Sequence, residues 1–177
     1  MIENPARRET LAVLATASDT GGELFAYELA VEANGPGPGG HVHPKQEERF
    51  LVLSGAVRFR RGMHTLVARP GDTVVVPPNT YHRFTNVGDG PARLRIEVRP
   101  ALRMEELYRS TMAMAWDRRT RTTGMPRPLE VALLLREFKE EVEVPIAPGV
   151  ARLVLAPLAW LGTRRLMSWW EAPDARW

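Results

Sequence analysis

The stretch His41–Gly55, HVHPKQEERFLVLSG, places two histidines two positions apart, then a glutamate and an apolar run. In an extended chain, residues i and i+2 point to the same side, so His41 and His43 can direct two imidazoles towards one point. Glu48 has the same strand parity as Phe50 and therefore faces inward if Phe50 does. A carboxylate in an apolar interior is costly unless it is paired or bound to a cation. The stretch thus predicts a metal site, with polar residues at the mouth of a β-hairpin as the alternative.

A second segment can complete the same site. His82 follows the turn Pro77-Pro78-Asn79 at the head of another apolar run and shares parity with Phe84. Neutral imidazoles and one carboxylate form a facial ligand set that suits first-row divalent metals and leaves coordination positions open. His82 is therefore a candidate fourth ligand.

The composition is that of a soluble globular protein. The chain has 177 residues, of which 44% are hydrophobic and 25% charged, and a net charge of +3. It contains no cysteine, which excludes disulfides, thiolate metal sites and cysteine nucleophiles. The near balance of charge gives no indication of nucleic-acid binding. We expect a cytoplasmic protein, since the N-terminus lacks the apolar region of a secretory signal and no apolar stretch reaches the roughly 20 residues that span a bilayer.

Before Pro100 the sequence pattern predicts an all-β sandwich or barrel, because short segments of alternating apolar and polar residues are separated by turns at regular spacing. The predicted strands are Leu24–Glu32, Arg49–Leu53, Val57–Arg61, Thr65–Ala68, Thr73–Val76, His82–Asn86 and Arg93–Val98.

After Pro100 the apolar pattern becomes helical. The predicted helices are Leu102–Arg118, Pro128–Val142 and Arg152–Met167, and the buried stripe of the second comprises Val131, Leu134, Leu135 and Phe138. The sequence therefore predicts a barrel over residues 1–100 and a C-terminal helical extension over residues 101–177. We expect these helices to pack against the barrel or a second subunit, with a membrane-surface role for the last one as the alternative.

Two spaced motifs resemble those of the cupin superfamily, in its small single-domain branch. The first reads G-x5-H-x-H-x4-E-x6-G from Gly35 to Gly55, and the second reads G-x5-P-x-N-x2-H-x3-N from Gly71 to Asn86. The resemblance covers roughly residues 20–99. Asn79 stands where the family usually has glycine, but asparagine also tolerates a left-handed turn.

The resemblance implies a mainly β fold, a double-stranded β-helix or jelly-roll barrel with a metal inside one end. By position, the family's ligands fall on His41, His43, Glu48 and His82. The implied cofactor is a divalent metal ion, with iron, manganese, nickel and zinc all suited to these ligands. A cupin that keeps these residues without binding a metal, or that holds only a structural one, is the alternative.

Other candidate residues follow from strand parity. Glu47 has the opposite parity to Glu48 and should be solvated, and His64 follows a predicted turn and should lie on the surface. Aromatic residues are expected to line the barrel and its pocket, and the candidates are Tyr27, Phe50, Phe59 and Phe84.

The function most compatible with these residues is that of a small metal-dependent enzyme acting on an apolar, planar molecule. Dioxygenase chemistry of the quercetinase type is the most concrete version, with isomerase or lyase chemistry next. The alternative is a module that binds or senses a metal or small ligand without turnover. The tryptophans Trp160, Trp169 and Trp170 are large apolar groups that also favour a homodimer.

Overall fold

The computed structural model describes residues 2–4, 9–33, 35, 37–116 and 127–145. Strands dominate as far as Arg99 and helices follow, as the sequence predicts. The third predicted helix lies outside the described residues, as do the three tryptophans that favoured a homodimer.

The described strands form two antiparallel sheets, and the predicted jelly-roll barrel is confirmed. One sheet has the order β1-β2-β3-β9-β4-β7 and the other has the order β6-β5-β8. The strands are β1 (Ile2–Asn4), β2 (Glu9–Ala15), β3 (Phe25–Val31), β4 (Glu47–Ser54), β5 (Val57–Arg61), β6 (His64–Ala68), β7 (Thr73–Val76), β8 (His82–Asn86) and β9 (Ala92–Arg99).

The start of β4 differs from the prediction in a way that matters for the site. The strand begins at Glu47 rather than at Arg49, because Glu47 and Glu48 pair with Arg99 and Val98 of β9. Glu48 is therefore held within the sheet and not in the loop before it.

The N-terminal strands β1 and β2 were not predicted. The pairing of β2 with β3 along its length adds a strand to the larger sheet. Leu11 of β2 has no exposed surface, so this strand contributes to the core.

Alternation along the strands produces one apolar interior, since successive residues point to opposite faces. In β4, Phe50 and Val52 are buried on the same face as Glu48, while Arg49 is exposed. The face predicted for β3 is also buried, and it comprises Phe25, Tyr27, Leu29 and Val31.

A glycine ends β4 for a steric reason. Gly55 has φ of +83°, and a Cβ atom placed there would lie 2.8 Å from the Cα and Cβ atoms of Ala92. Both the left-handed backbone and the close approach of β9 therefore require glycine.

The two described helices are shorter than predicted. The first, α1 (Met104–Trp116), cannot begin at Leu102, whose φ of +44° is left-handed. The second, α2 (Pro128–Glu137), ends before Phe138, and the chain then pairs with the barrel: Val42 and Glu143 exchange two N–H···O bonds of 2.8 Å. The prediction of helix as far as Val142 was therefore wrong, because backbone pairing with residue 42 replaces the last helical turn.

The helices share a core with the barrel. Met104 and Leu107 of α1, together with Leu134 and Phe138 from the region of α2, belong to the same buried cluster as the strand residues. The amide of Gln46 donates to the carbonyls of residues 100 and 101 and thereby fixes the junction. The division at residue 100 into a barrel and a separate extension stays a prediction.

Within the described residues, no helix combines the length and the apolar character needed to cross a membrane.

Candidate metal centre

Three separate chain segments bring four potential ligands together at one end of the barrel. His41 and His82 face each other across an antiparallel bridge, with backbone N···O distances of 3.1 and 2.9 Å. His43 lies two residues after His41 on the same strand-like segment, and Glu48 points inward from β4. The parity argument from the sequence therefore corresponds to a real convergence of side chains.

The ligand atoms of His41, His43, Glu48 and His82 all lie within 4.8 Å of one another. The Nε2 atoms of His41 and His43 are 3.2 Å apart, and the Oε2 atom of Glu48 lies 3.3 Å from Nε2 of His43 and 2.8 Å from Nε2 of His82. Three of these residues are almost fully buried and His41 is partly exposed. The cluster is thus a compact set of four donors with one side towards open space.

Backbone carbonyls fix which nitrogen of each imidazole faces the cluster. The Nδ1 atom of His41 contacts the carbonyl of Gly39 at 2.7 Å, and that of His82 contacts the carbonyl of Thr80 at 2.9 Å. The Nδ1 atom of His43 contacts the carbonyl of Glu141. A carbonyl only accepts, so each Nδ1 carries the proton and each Nε2 is available as a ligand.

Electrostatics favour a positive charge at the centre of the cluster. Burial, followed by the neighbouring imidazoles, lowers the pKa of His41 to about 3. Burial also disfavours the charged form of His43, but the carboxylate of Glu48 outweighs burial and the pKa of His43 is raised. Burial alone would raise the pKa of Glu48, yet contacts with His43 and His82 outweigh it and lower that pKa. The buried carboxylate of Glu48 therefore stays ionised, and it favours positive charge on the side of the cluster occupied by His43.

These donors fit a divalent metal ion. Metal–nitrogen and metal–oxygen bonds of about 2.1 Å place adjacent ligands of an octahedron about 3 Å apart. Three pairs in this cluster have separations of 2.8 to 3.3 Å, and all four ligand atoms lie within 4.8 Å of one another. Two Nε2 lone pairs that face each other at the distance between His41 and His43 repel unless a proton or a cation lies between them. Imidazole and carboxylate together suit iron, manganese, nickel or zinc.

Two residues considered from the sequence lie outside this cluster. His64 is the exposed first residue of β6, where it pairs with Arg61. Glu47 is partly exposed and lies 3.7 Å from the guanidinium of Arg49, on the face of β4 opposite to Glu48.

The four aromatic residues proposed as pocket lining are all buried. Phe50, Phe59 and Phe84 pack against one another with ring centroids 5.1 to 5.6 Å apart, and Phe50 lies 6.2 Å from the ring of His82. Tyr27 shares a hydrogen bond with Tyr108 of α1, and burial raises the pKa of Tyr27 well above its usual range. The role of these four residues in ligand binding stays a prediction.

A cavity of about 320 Å³ adjoins the histidine cluster, and residues of both helices line it. Its lining includes His41 and His43 but none of the four aromatic residues named above, and most of its wall comes from the two helices and the segment after α2. The sequence pattern indicated that these helices bury an apolar face, but it did not indicate that this face encloses a space beside the histidines. The carbonyl of Glu141 was also missed, because a backbone acceptor has no signature in sequence.

Comparison with known proteins agrees with the motifs. Residues 27–99 match the family model described as Cupin_2, cupin domain. The polyketide synthase CurC of Streptomyces cyaneus is 30% identical over 97 residues, which are 55% of this chain and 63% of that protein. Mannose-1-phosphate guanylyltransferase RfbM of Salmonella typhimurium is 34% identical over 53 residues, which are 30% of this chain and 11% of that protein. The chain thus spans less than two thirds of the length of either curated relative.

A solved structure shows the shared architecture. The RmlC-like cupin from Shewanella frigidimarina superposes with a TM-score of 0.51 at 20% identity, over 59% of this chain and 87% of that one. This likeness concerns the fold of the barrel.

Proposed function

We propose that the cupin barrel of this chain, residues 27–99, holds one divalent metal ion with which the protein transforms an apolar small molecule. The observation that carries the proposal is the convergence of three Nε2 atoms and one buried carboxylate, with every Nδ1 bonded to a carbonyl. His41, His43, Glu48 and His82 would hold the ion. A metal bound by such a set can activate dioxygen or polarise a carbonyl group.

Residues around the cluster would orient the metal-binding side chains and shield them from water. Carbonyl acceptors orient the imidazoles, so the imidazoles need little reorganisation to bind a metal ion. Phe50 packs in the barrel core with its ring 6.2 Å from that of His82, so it helps to hold this imidazole in place. The two helices shield the partly exposed side of His41 from bulk water, since they line the space beside it.

The substrate class that we propose is an enol, a 1,3-dicarbonyl compound or a catechol-like molecule. Each of these compounds carries two oxygens close enough together to chelate a metal ion that has open coordination positions. The relative from Streptomyces cyaneus is named as a polyketide synthase, and polyketides carry carbonyl groups in the 1,3 relationship on a mostly apolar skeleton. Dioxygenase chemistry of the quercetinase type is the first choice within this proposal, followed by isomerisation or lyase chemistry.

The proposal is tested with protein purified without a tag and analysed for metals. The protein is then incubated with a panel of enols, 1,3-diketones and catechols in air, with oxygen uptake and product masses recorded. Oxygen uptake that matches product formation supports a dioxygenase, and conversion without oxygen uptake supports an isomerase or lyase. The variant H43A should abolish conversion, and H64A should leave it intact.

A module that binds metal and ligand without turnover is the second candidate. The described cavity lining contains few ionisable side chains apart from the metal ligands, namely Glu9 and Tyr108. A shortage of acid–base groups favours binding over catalysis. Saturable binding of a panel compound without any change in its mass would identify this function.

The remaining features of the proposal concern assembly and location. We propose a cytoplasmic homodimer whose ligand is a small molecule and not a nucleic acid. Light scattering at micromolar concentration measures the molecular mass, and a mass equal to that of one chain would contradict the proposed homodimer. The near balance of charge, +3 over the whole chain, supports the absence of a nucleic-acid partner.

A further inference from the structure

The cavity beside the metal ligands is built mainly by the helical segments. His41 and His43 belong to its lining, and most of the lining contributed by the helices is apolar. Six residues form most of that apolar lining, three from α1 and three from α2: Met104, Leu107, Met112, Val131, Leu134 and Leu135. Its volume of about 320 Å³ lies within the range of small-molecule sites. A space of this size is much larger than a single water molecule or a very small organic acid requires.

The charge of the lining restricts what can occupy the space. None of the described lining residues is lysine or arginine, and the carboxylate of Glu9 is buried at its edge. A phosphate or a second carboxylate on the ligand would therefore find no cation away from the metal. Tyr108 and Thr111 offer hydroxyl groups, but the rest of the helical wall accommodates hydrocarbon.

We propose that the cavity binds the apolar body of a ligand whose oxygen-bearing head coordinates the metal, so that α1 and α2 determine which body is accepted. This inference rests on the proposed metal site and adds to it the source of specificity. Leu134, Leu135 and Met112 are among the residues that line the space. Methionine is unbranched and flexible and therefore tolerates bodies of different shape.

The test uses two probes with the same head. Acetohydroxamic acid and octanohydroxamic acid each present a bidentate hydroxamate, but only the second carries a long apolar tail. Each buried methylene strengthens binding about fourfold, so zinc-loaded wild-type protein should bind octanohydroxamic acid on the order of 100-fold or more tightly than acetohydroxamic acid. Calorimetry gives both affinities, and zinc analysis after each titration verifies that the metal stays bound.

Variants locate the tail. L135W fills the cavity and should weaken binding of octanohydroxamic acid at least tenfold while leaving acetohydroxamic acid unchanged. L129W is the matched control, because Leu129 lies on α2 but is not among the cavity lining. V131F provides a second, smaller filling in case L135W does not fold.

The outcomes separate this inference from the metal site itself. Equal affinity of the two probes for zinc-loaded wild type would overturn the inference and leave the metal proposal standing. Equal affinity of octanohydroxamic acid with and without zinc would overturn the coordination of its head. Failure of the wild type to retain zinc would overturn both proposals.

Discussion

The Nδ1 atom of His43 donates a hydrogen bond to the backbone carbonyl of Glu141, a residue 98 positions further along the chain. That carbonyl belongs to the segment after α2, whose neighbour Glu143 pairs with Val42 through two backbone hydrogen bonds. A part of the chain beyond the cupin motifs therefore orients one of the potential metal ligands. Binding of a metal and docking of the helical extension should stabilise each other.

The side chain of Glu141 tests this coupling. It is buried, and its Oε1 atom accepts the backbone N–H of Arg103 at 3.1 Å. E141A should cost about 1.5–3 kcal/mol of unfolding free energy, because it removes a hydrogen bond to a charged group, and it should weaken zinc binding by loosening the carbonyl beside His43. Urea unfolding and zinc competition with a chelator measure the two effects.

The control for that variant is E140A. Glu140 forms an exposed ion pair with Lys45 at 3.0 Å, and such pairs contribute only about 0–1 kcal/mol. Zinc affinity in E141A equal to that of wild type, together with a loss of stability, would show that other contacts hold the carbonyl in place.

Removal of one imidazole should remove the metal. H43A is expected to lower the metal content from one ion per chain to a small fraction of that, because it deletes a buried ligand from a four-donor set. Since the metal binds only the folded chain, the melting temperature should fall by several degrees in metal-replete buffer. Elemental analysis and thermal melts with and without chelator record both changes.

H64A serves as the comparison, because His64 is an exposed histidine outside the cluster. It should retain the wild-type metal content and melting temperature. Equal metal in wild type and H43A would show that His43 is not a ligand.

The register of β4 is tested by two adjacent glutamates. Glu48 is 3% exposed and lies 2.8 Å from His82, whereas Glu47 is partly exposed on the opposite face. E48Q should weaken metal binding by at least tenfold, since an amide is a poor ligand in place of a carboxylate. E47Q should leave the metal affinity unchanged, and the reverse result would mean that the strand is offset by one residue.

The sequence indicated which four side chains converge because strand parity is a local property. Two imidazoles at i and i+2 and a glutamate in phase with Phe50 need only an extended chain to share a side. The strand β2 was missed because its sequence, ETLAVLA, is short and alanine-rich and is compatible with helix or strand until β3 provides a partner.

The features that sequence did not reveal depend on distant parts of the chain. The carbonyl that orients His43 and the cavity beside it arise only when residues after 100 pack against the barrel. The end of α2 was also misplaced, because an apolar stripe continues to Val142 while backbone pairing with Val42 ends the helix earlier.

The second motif ends in an asparagine with a structural role. Asn86 is buried, its amide donates to the carbonyls of Val31, Glu32 and Gly90, and its Oδ1 atom accepts the N–H of Gly88. N86D should destabilise the fold by about 3 kcal/mol or more, because a buried carboxylate would face three carbonyls that only accept.

The matched comparison at the same turn-forming motif is N79G. Asn79 has φ of +59°, a left-handed conformation that glycine adopts readily. N79G should change the unfolding free energy by less than about 1 kcal/mol. An N86D protein as stable as wild type in urea would refute the structural role assigned to Asn86.

We expect docking of α1 on the barrel to depend on a pair of phenols, of which Tyr27 is buried and Tyr108 partly exposed. Tyr27 of β3 has only 1% of its surface exposed, its hydroxyl shares a hydrogen bond with that of Tyr108, and the two rings have centroids 4.8 Å apart. Y108F deprives the Tyr27 hydroxyl of this bond and should cost about 1–3 kcal/mol. Y27F removes the same bond but should cost less, because Tyr108 is partly exposed and its hydroxyl can bond to water.

A double-mutant cycle isolates the bond. If the two hydroxyls stabilise the protein through each other, Y27F/Y108F should cost less than the sum of the single variants by at least about 0.5 kcal/mol in urea unfolding. Y81F is the control, because Tyr81 is only partly buried and contacts Arg60 through its ring, which the substitution keeps. Additive costs would mean that the two tyrosines stabilise the helix and the barrel independently, and that packing of their rings, not the hydrogen bond, holds α1 in place.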